Sequence, residues 1–160
     1  MSKIYVIFAV KIQSGYLMKY PIGIQTFEQI IQDGYVYVDK TDLIYKLVTE
    51  GKIYFLSRPR RFGKSLLIST LKNYFLGRKE LFKGLAIDKL EKVWAEYPVF
   101  HIAFSNGNFA DGQTLRQVLE DYIAEFETEY GKNPNANTIG GRFASVMKAA
   151  HKKTGRRAVV

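Results

Sequence analysis

Nine consecutive residues, Ser57-Arg58-Pro59-Arg60-Arg61-Phe62-Gly63-Lys64-Ser65, constrain this chain more than any other stretch. An apolar run, Ile53-Tyr54-Phe55-Leu56, leads into them, and a helical pattern, Leu66-Leu67-Ile68-Ser69-Thr70-Leu71, leads out. Strand, loop ending in Gly-Lys-Ser, then helix is the setting of a Walker A phosphate loop. Backbone N–H groups of such a loop and of the first helical turn converge on phosphate oxygens. Gly63 has no Cβ and lets the backbone approach closely. Lys64 is expected to reach the β- and γ-phosphates, and the Ser65 hydroxyl to ligate Mg²⁺. The candidate phosphate-binding set is therefore Arg60, Arg61, Phe62, Gly63, Lys64, Ser65 and Leu66, with Ser65 as the metal ligand. One position departs from G-x-x-x-x-G-K-[ST]: Arg58 stands where the first glycine belongs. Pro59, which pre-sets one backbone angle, offers another route to the turn. Arg60 and Arg61 add positive charge, either to a γ-phosphate or a partner, or simply to solvent.

The chain has 160 residues, an apolar fraction of 47% and a net charge of +9. That length favours one domain with a fair core. With no cysteine, disulfides, thiolate catalysis and cysteine metal sites are excluded. His101 and His151 are too few for a metal centre and read as structural. No run is long enough to span a membrane, and a cytoplasmic location is expected. Met1-Ser2-Lys3 before Ile4–Val10 only faintly resembles a leader, because Lys11 follows without a small-residue cleavage site. An added edge strand or a start at Met18 are the alternatives, and residues 1–17 are treated as an N-terminal extension of an 18–160 domain.

The punctuation of the chain predicts alternating elements. Thr26-Phe27-Glu28-Gln29 reads as a capping box opening a short helix that Gly34 ends. Tyr35–Val38 is extended. Asp39 to Asp42 caps a second helix with Leu43, Ile44, Leu47 and Val48 on one face and Gly51 at its close. Residues 52–57 form the first sheet strand and about 64–76 the helix on the phosphates, closed by Gly77. A short helical piece runs from Glu91 to Glu96 around Trp94, and Val99–Phe104 is a buried strand. Asp111 opens a long helix to about Tyr130, with Leu115, Val118, Leu119, Tyr122, Ile123 and Phe126 on its core face. After a polar linker, Thr138 to about Lys153 is another helix. Such alternation predicts an α/β layered fold, of the P-loop NTPase type, with a mainly parallel sheet.

Several pieces together resemble the AAA-ATPase-like family of bacterial proteins: Tyr20-Pro21-Ile22-Gly23-Ile24-Gln25-Thr26-Phe27, Tyr37-Val38-Asp39-Lys40-Thr41, the arginine-rich loop, Leu81-Phe82-Lys83-Gly84-Leu85 and Tyr97-Pro98-Val99. They cover most of residues 19–105, and the loop without its first glycine is shared by that family. The resemblance implies an ATP-binding P-loop domain using ATP and Mg²⁺. It also implies that many relatives carry a C-terminal nuclease-like domain of the PD-(D/E)XK type. ATP over GTP rests on the resemblance, since no Asn-Lys-x-Asp run is present. By analogy with related ATPases, Tyr35, Tyr37, Asp39 and Lys40 are candidates for the base site. The alternative is core packing for the tyrosines and a helix cap for Asp39.

A working ATPase also needs a Walker B strand ending in Asp. Tyr35–Asp39 precedes the loop, and Leu85–Asp88 reads as a connector. Gly155-Arg156-Arg157-Ala158-Val159-Val160 resembles the start of that strand, so the fold is expected to be truncated before Walker B, with little or no hydrolysis by this piece alone. A second function remains open. From Gly131 onward, Lys132, Arg142, Lys148, Lys152, Lys153, Arg156 and Arg157 are accompanied by no acid, and a basic module binding nucleic acid or a partner protein is the alternative. Against it stands a solvated helix face whose acidic partners lie elsewhere.

Overall fold

A computed structural model of the chain describes residues 18–104 and 112–160. The expectations for residues 1–17 and for Asp111 lie outside the described residues. Six α-helices follow in order: α1 (Phe27–Gln32), α2 (Thr41–Glu50), α3 (Lys64–Phe75), α4 (Ala86–Leu90), α5 (Gly112–Tyr130) and α6 (Ile139–Thr154), with a 3₁₀ turn at Lys79–Phe82 between α3 and α4. They belong to two compact units, Met1–Trp94 and Ala95–Val160.

The mainly parallel sheet is not found. Among the described residues there is no strand, only single parallel bridges joining Lys19 to Tyr35 and Val99 to Val159. The expected first strand is exposed, with Ile53 and Phe55 both 94% accessible. A strand persists only when a neighbour takes up its backbone N–H and C=O groups, and no described segment does so for residues 52–57. Val99–Phe104 is likewise not a strand. Phe100 is buried, but only its N–H (to Val159 O, 2.8 Å) and the Val159 N–H (to Pro98 O, 2.9 Å) begin a ladder.

In the first unit, α1 packs on α3, and α2 on α4. Phe27, Ile44, Leu81, Phe82 and Ile87 form the buried core, with Tyr37, Leu66, Leu67, Leu71, Tyr74 and Trp94 packed around them. The rings of Phe27 and Phe82 lie 4.8 Å apart, and those of Phe82 and Trp94 5.1 Å. Leu66 and Leu67 thereby fasten the start of α3 to this core. The Thr26 capping box does not form, since Thr26 makes no side-chain cap. Instead Phe27 N–H donates to Ser69 Oγ of α3 at 2.9 Å, a cap supplied by a neighbouring helix. Buried Asn73 donates to Ser69 O (2.9 Å) and accepts from Arg78 (3.0 Å), which also pairs with Glu28 at 2.9 Å.

Asp39 accepts from Thr41 N–H (2.9 Å), Thr41 Oγ1–H (2.7 Å) and Ala86 N–H (2.7 Å), tying the starts of α2 and α4 together. Buried Thr41 in turn accepts from Ile87 N–H at 3.0 Å. Burial works against the Asp39 carboxylate, but these hydrogen bonds outweigh it and hold its pKa below the ordinary value. At the other end of α2, Tyr54 folds back to donate to Leu47 O at 2.7 Å, satisfying one of the carbonyls a helix end leaves free. The helical piece expected at Glu91–Glu96 lies earlier, at α4. Leu85 is its N-cap, and Asp88 in its first turn accepts from Gly84 N–H at 3.1 Å. Glu91 accepts from the Tyr74 hydroxyl and from Val93 N–H, and Trp94 follows in a left-handed conformation, which ends any helix there.

The second unit is built on α5 against α6. Phe100, Phe126, Val146 and Ala150 are its buried centre, with Phe100 and Phe126 4.6 Å apart edge to face. Of the predicted α5 core face, Ile123 and Phe126 are buried, whereas Leu115 is 39% exposed. Thr138 caps α6 by accepting from Gly141 N–H at 3.1 Å. A Cβ at Gly141 would stand 2.9 Å from that hydroxyl, so the cap favours glycine there. Glu127, 7% exposed, receives Arg142 through two parallel bonds of 2.9 and 2.7 Å. Those bonds come first among the causes that lower its pKa, ahead of the opposing effect of burial.

Candidate functional site: the Ser57–Leu66 loop

Gly63 is the N-cap of α3 and is left-handed, with φ +72°. Open space surrounds the position where its Cβ would project, so glycine is required there by backbone conformation and not by crowding. The first intrahelical bond runs from Leu67 N–H to Gly63 O at 2.9 Å. The N–H groups of Lys64, Ser65 and Leu66 precede it and have no acceptor within the helix. No side chain caps this end, and the positive end of the helix dipole adds to the attraction for an anion.

Lys64 Nζ donates to the carbonyls of Arg58 and of Pro59, the latter at 2.9 Å. The ammonium is thus seated on the loop's own backbone, five and six residues back. In the sequence Arg58 is a departure from the glycine pattern and Pro59 an angle-setter; in the structure their carbonyls hold the lysine, a role that residue type does not signal. Only the count back from Lys64 could have suggested it. Arg58, Arg60, Arg61, Phe62 and Ser65 are exposed, while Leu66 is half-buried against the core. Arg61 is also left-handed, with φ +66°. Gly63, Lys64, Ser65 and Leu66 therefore present amides, an ammonium and a hydroxyl at one helix start. Arg60, Arg61 and Phe62 stand on the adjoining turn, all in the first unit.

This donor set fits a polyphosphate. No acidic residue occurs from Gly51 to Lys79, so nothing in the segment competes for its cations. It fits Mg²⁺ only in company. Among the described residues no cluster of three His, Asp or Glu side chains exists to hold a metal, and Mg²⁺ is commonly held by phosphates with one or two protein oxygens. Ser65 is the exposed hydroxyl on the first turn of α3.

The other candidates are distributed differently. Tyr37 is packed edge to face on Phe27 at 5.2 Å, and burial raises its pKa. Asp39 is the double cap described above. Of the basic residues after Gly131, Arg142 is paired with Glu127, Lys153 donates to Glu129 O at 2.9 Å and lies over the Tyr130 ring, and Arg156 lies over the Tyr97 ring. Lys132 and Lys148 border a shallow cavity of about 290 Å³ with Asn133 and Ser145. No described helix is long and apolar enough to cross a membrane.

Residues 21–160 match a family model described as "AAA-ATPase_like: Predicted AAA-ATPase". A relative from Azotobacter chroococcum mcd 1, described as an uncharacterized protein in the vnfD 5' region, is 40% identical over 143 residues, 89% of this chain and 28% of the relative. The chain thus spans less than a third of that relative's length. No solved structure matches it significantly.

Proposed function

We infer, from the premise that this chain belongs to the AAA-ATPase-like family, that its Ser57–Leu66 loop binds the phosphates of ATP together with Mg²⁺. The observation that carries this reading is the uncapped start of α3. Gly63 is left-handed, three amides have no helical acceptor, and Lys64 is held beside them by two carbonyls. Backbone amides bind phosphate oxygens, Lys64 neutralises charge, and Ser65 lends an oxygen to the metal. Bound Mg²⁺ supplies further neutralisation of the phosphates. Lys64 leaves its two carbonyls for phosphate oxygens, a short move for a flexible side chain with three donors. Hydrolysis needs a residue to position water and an acid on the metal side, and the loop itself contains neither, so the function proposed for the loop is binding. Titration of Mg-ATP into the wild type and Lys64→Ala tests it. Binding weakened at least tenfold in the variant, with an unchanged melting temperature, is the expected result; equal affinity refutes the reading.

A second reading draws on Lys132 and Lys148 at the cavity beside Asn133 and Ser145, a place for the phosphate of a nucleic acid. It is the weaker one, because three of the seven basic residues after Gly131 already have partners within the unit.

A further inference from the structure

We propose that Ser145, held by Asn133, is the hydroxyl through which the cavity beside α6 grips a phosphate of a nucleic-acid backbone, an inference that rests on the second reading above and not on the Ser57–Leu66 loop. Lys132, Asn133, Ser145 and Lys148 are the polar side chains that line this cavity. Asn133 has a fixed orientation there. Its side-chain carbonyl accepts from Asn135 N–H at 3.0 Å, so its amide nitrogen is the end that faces Ser145 and donates to Oγ at 3.1 Å. Ser145 Oγ is thus an acceptor toward Asn133, and its own proton is directed elsewhere. In a helix that proton commonly goes to the carbonyl four residues back, as it does at Thr49, Thr70, Thr128 and Thr154. Ser145 makes no such bond among the described residues, and it stands half-buried at the cavity wall.

The charges around that hydroxyl are positive and uncompensated. Lys132 and Lys148 have no ion pair or side-chain hydrogen bond among the described residues. Glu127, on which Lys132 also acts, is already gripped by Arg142 through two bonds, and no acid follows Gly131. Two ammonium groups and a spare hydroxyl proton together suit a phosphate oxygen. Lys152, one helical turn beyond Lys148, shares its face of α6, so the cations continue in a line past the cavity. A line of cations suits a chain of phosphates better than a single one. Phe143, which interrupts the basic residues, packs against Phe100 in the core and offers no ring to a base. Phosphate contacts hold a backbone without reading its sequence, so the binding is independent of sequence.

The test is binding of a labelled oligothymidylate to the full chain over a range of salt, as wild type, Ser145→Ala, Asn133→Ala, Lys148→Gln and Lys46→Gln. Lys46 is exposed on α2, in the other unit, and controls for the loss of one charge. Alanine is a good helix former, so Ser145→Ala keeps α6 and melts no lower than the wild type. Lys148→Gln is expected to weaken binding and to lower the salt slope by about 0.7, one phosphate contact on a single strand. Ser145→Ala is expected to weaken binding about tenfold, the worth of a hydrogen bond to a charged group, with the slope unchanged. Asn133→Ala loses as much, and the double variant with Ser145→Ala loses no more. An affinity in Ser145→Ala equal to that of the wild type overturns the proposal, as does polyglutamate bound as tightly as the oligonucleotide and with the same dependence on Ser145. If Lys148→Gln exceeds the Lys46→Gln control while Ser145→Ala has no effect, the nucleic-acid reading stands and only the role of Ser145 fails. If the folded wild type binds no oligonucleotide, that reading falls and this inference with it.

Discussion

Asp39 accepts three hydrogen bonds from the starts of two helices, and that arrangement decides what its replacement does. Asp39→Ala removes the cap of α2 and leaves Ala86 N–H without its acceptor. A loss of about 1–2 kcal/mol is expected, with Mg-ATP affinity unchanged. Thermal melting beside a nucleotide titration checks both halves, and a large loss of affinity without a loss of stability would return Asp39 to the base site. The Asp39 pKa is lowered, so its stabilisation is present above its unfolded value of about 3.9 and disappears as pH falls through the folded one. At this scale the sequence was informative where chemistry is local. The helix cap offered as one reading of Asp39 follows from residue type and position, whereas the left-handed backbone of Gly63 and the Thr138 cap emerge only from the structure. The sequence was silent on the Ser69 cap of α1 and on the Glu127–Arg142 pair, whose partners lie 42 and 15 residues apart.

Among the elements, α3 is both the floor of the loop and the support of α1. Ser69→Ala deprives Phe27 N–H of its acceptor, and a destabilisation of about 1–2 kcal/mol is expected from urea unfolding, by analogy with the loss of an N-cap. Because Leu66 and Leu67 still anchor the start of α3, nucleotide affinity should change less than stability; a loss of binding larger than the loss of stability would show that α1 shapes the loop. Helices were legible because each carries its own signal. The apolar spacing of α2 and α5 and the glycines at 34, 51 and 77 mark them within a few residues. Strands carry no comparable guarantee. Ile53–Leu56 has a strand's composition, yet its backbone groups need a neighbour, and none is present among the described residues. Alternation of apolar runs and helices therefore pointed to a sheet that is absent among the described residues.

For the molecule as a whole, charge is divided unequally. Lysines and arginines outnumber acids about two to one in Met1–Trp94, which holds the loop, and nearly balance them in Ala95–Val160. The basic tail that suggested a nucleic-acid module thus belongs to the better-balanced unit, where Glu127 already holds Arg142. Removing that carboxylate takes the charge-assisted bonds from a partly exposed Arg142, so Glu127→Gln should cost about 1–2 kcal/mol near neutral pH. The pKa of Glu127 is lowered, so the contribution is present above about 4.3 and lost as pH falls through the folded value. The stability gap between wild type and variant should therefore narrow on acidification, and a gap independent of pH would contradict the ion pair's role. The central claim is that phosphates are held at the start of α3. It is tested most directly by following backbone amide resonances of the ¹⁵N-labelled chain as Mg-ATP is added. The account predicts the largest shifts at Gly63, Lys64, Ser65 and Leu66. No shifts at saturating nucleotide, or shifts centred on Lys132 and Lys148 with the loop unmoved, would contradict it.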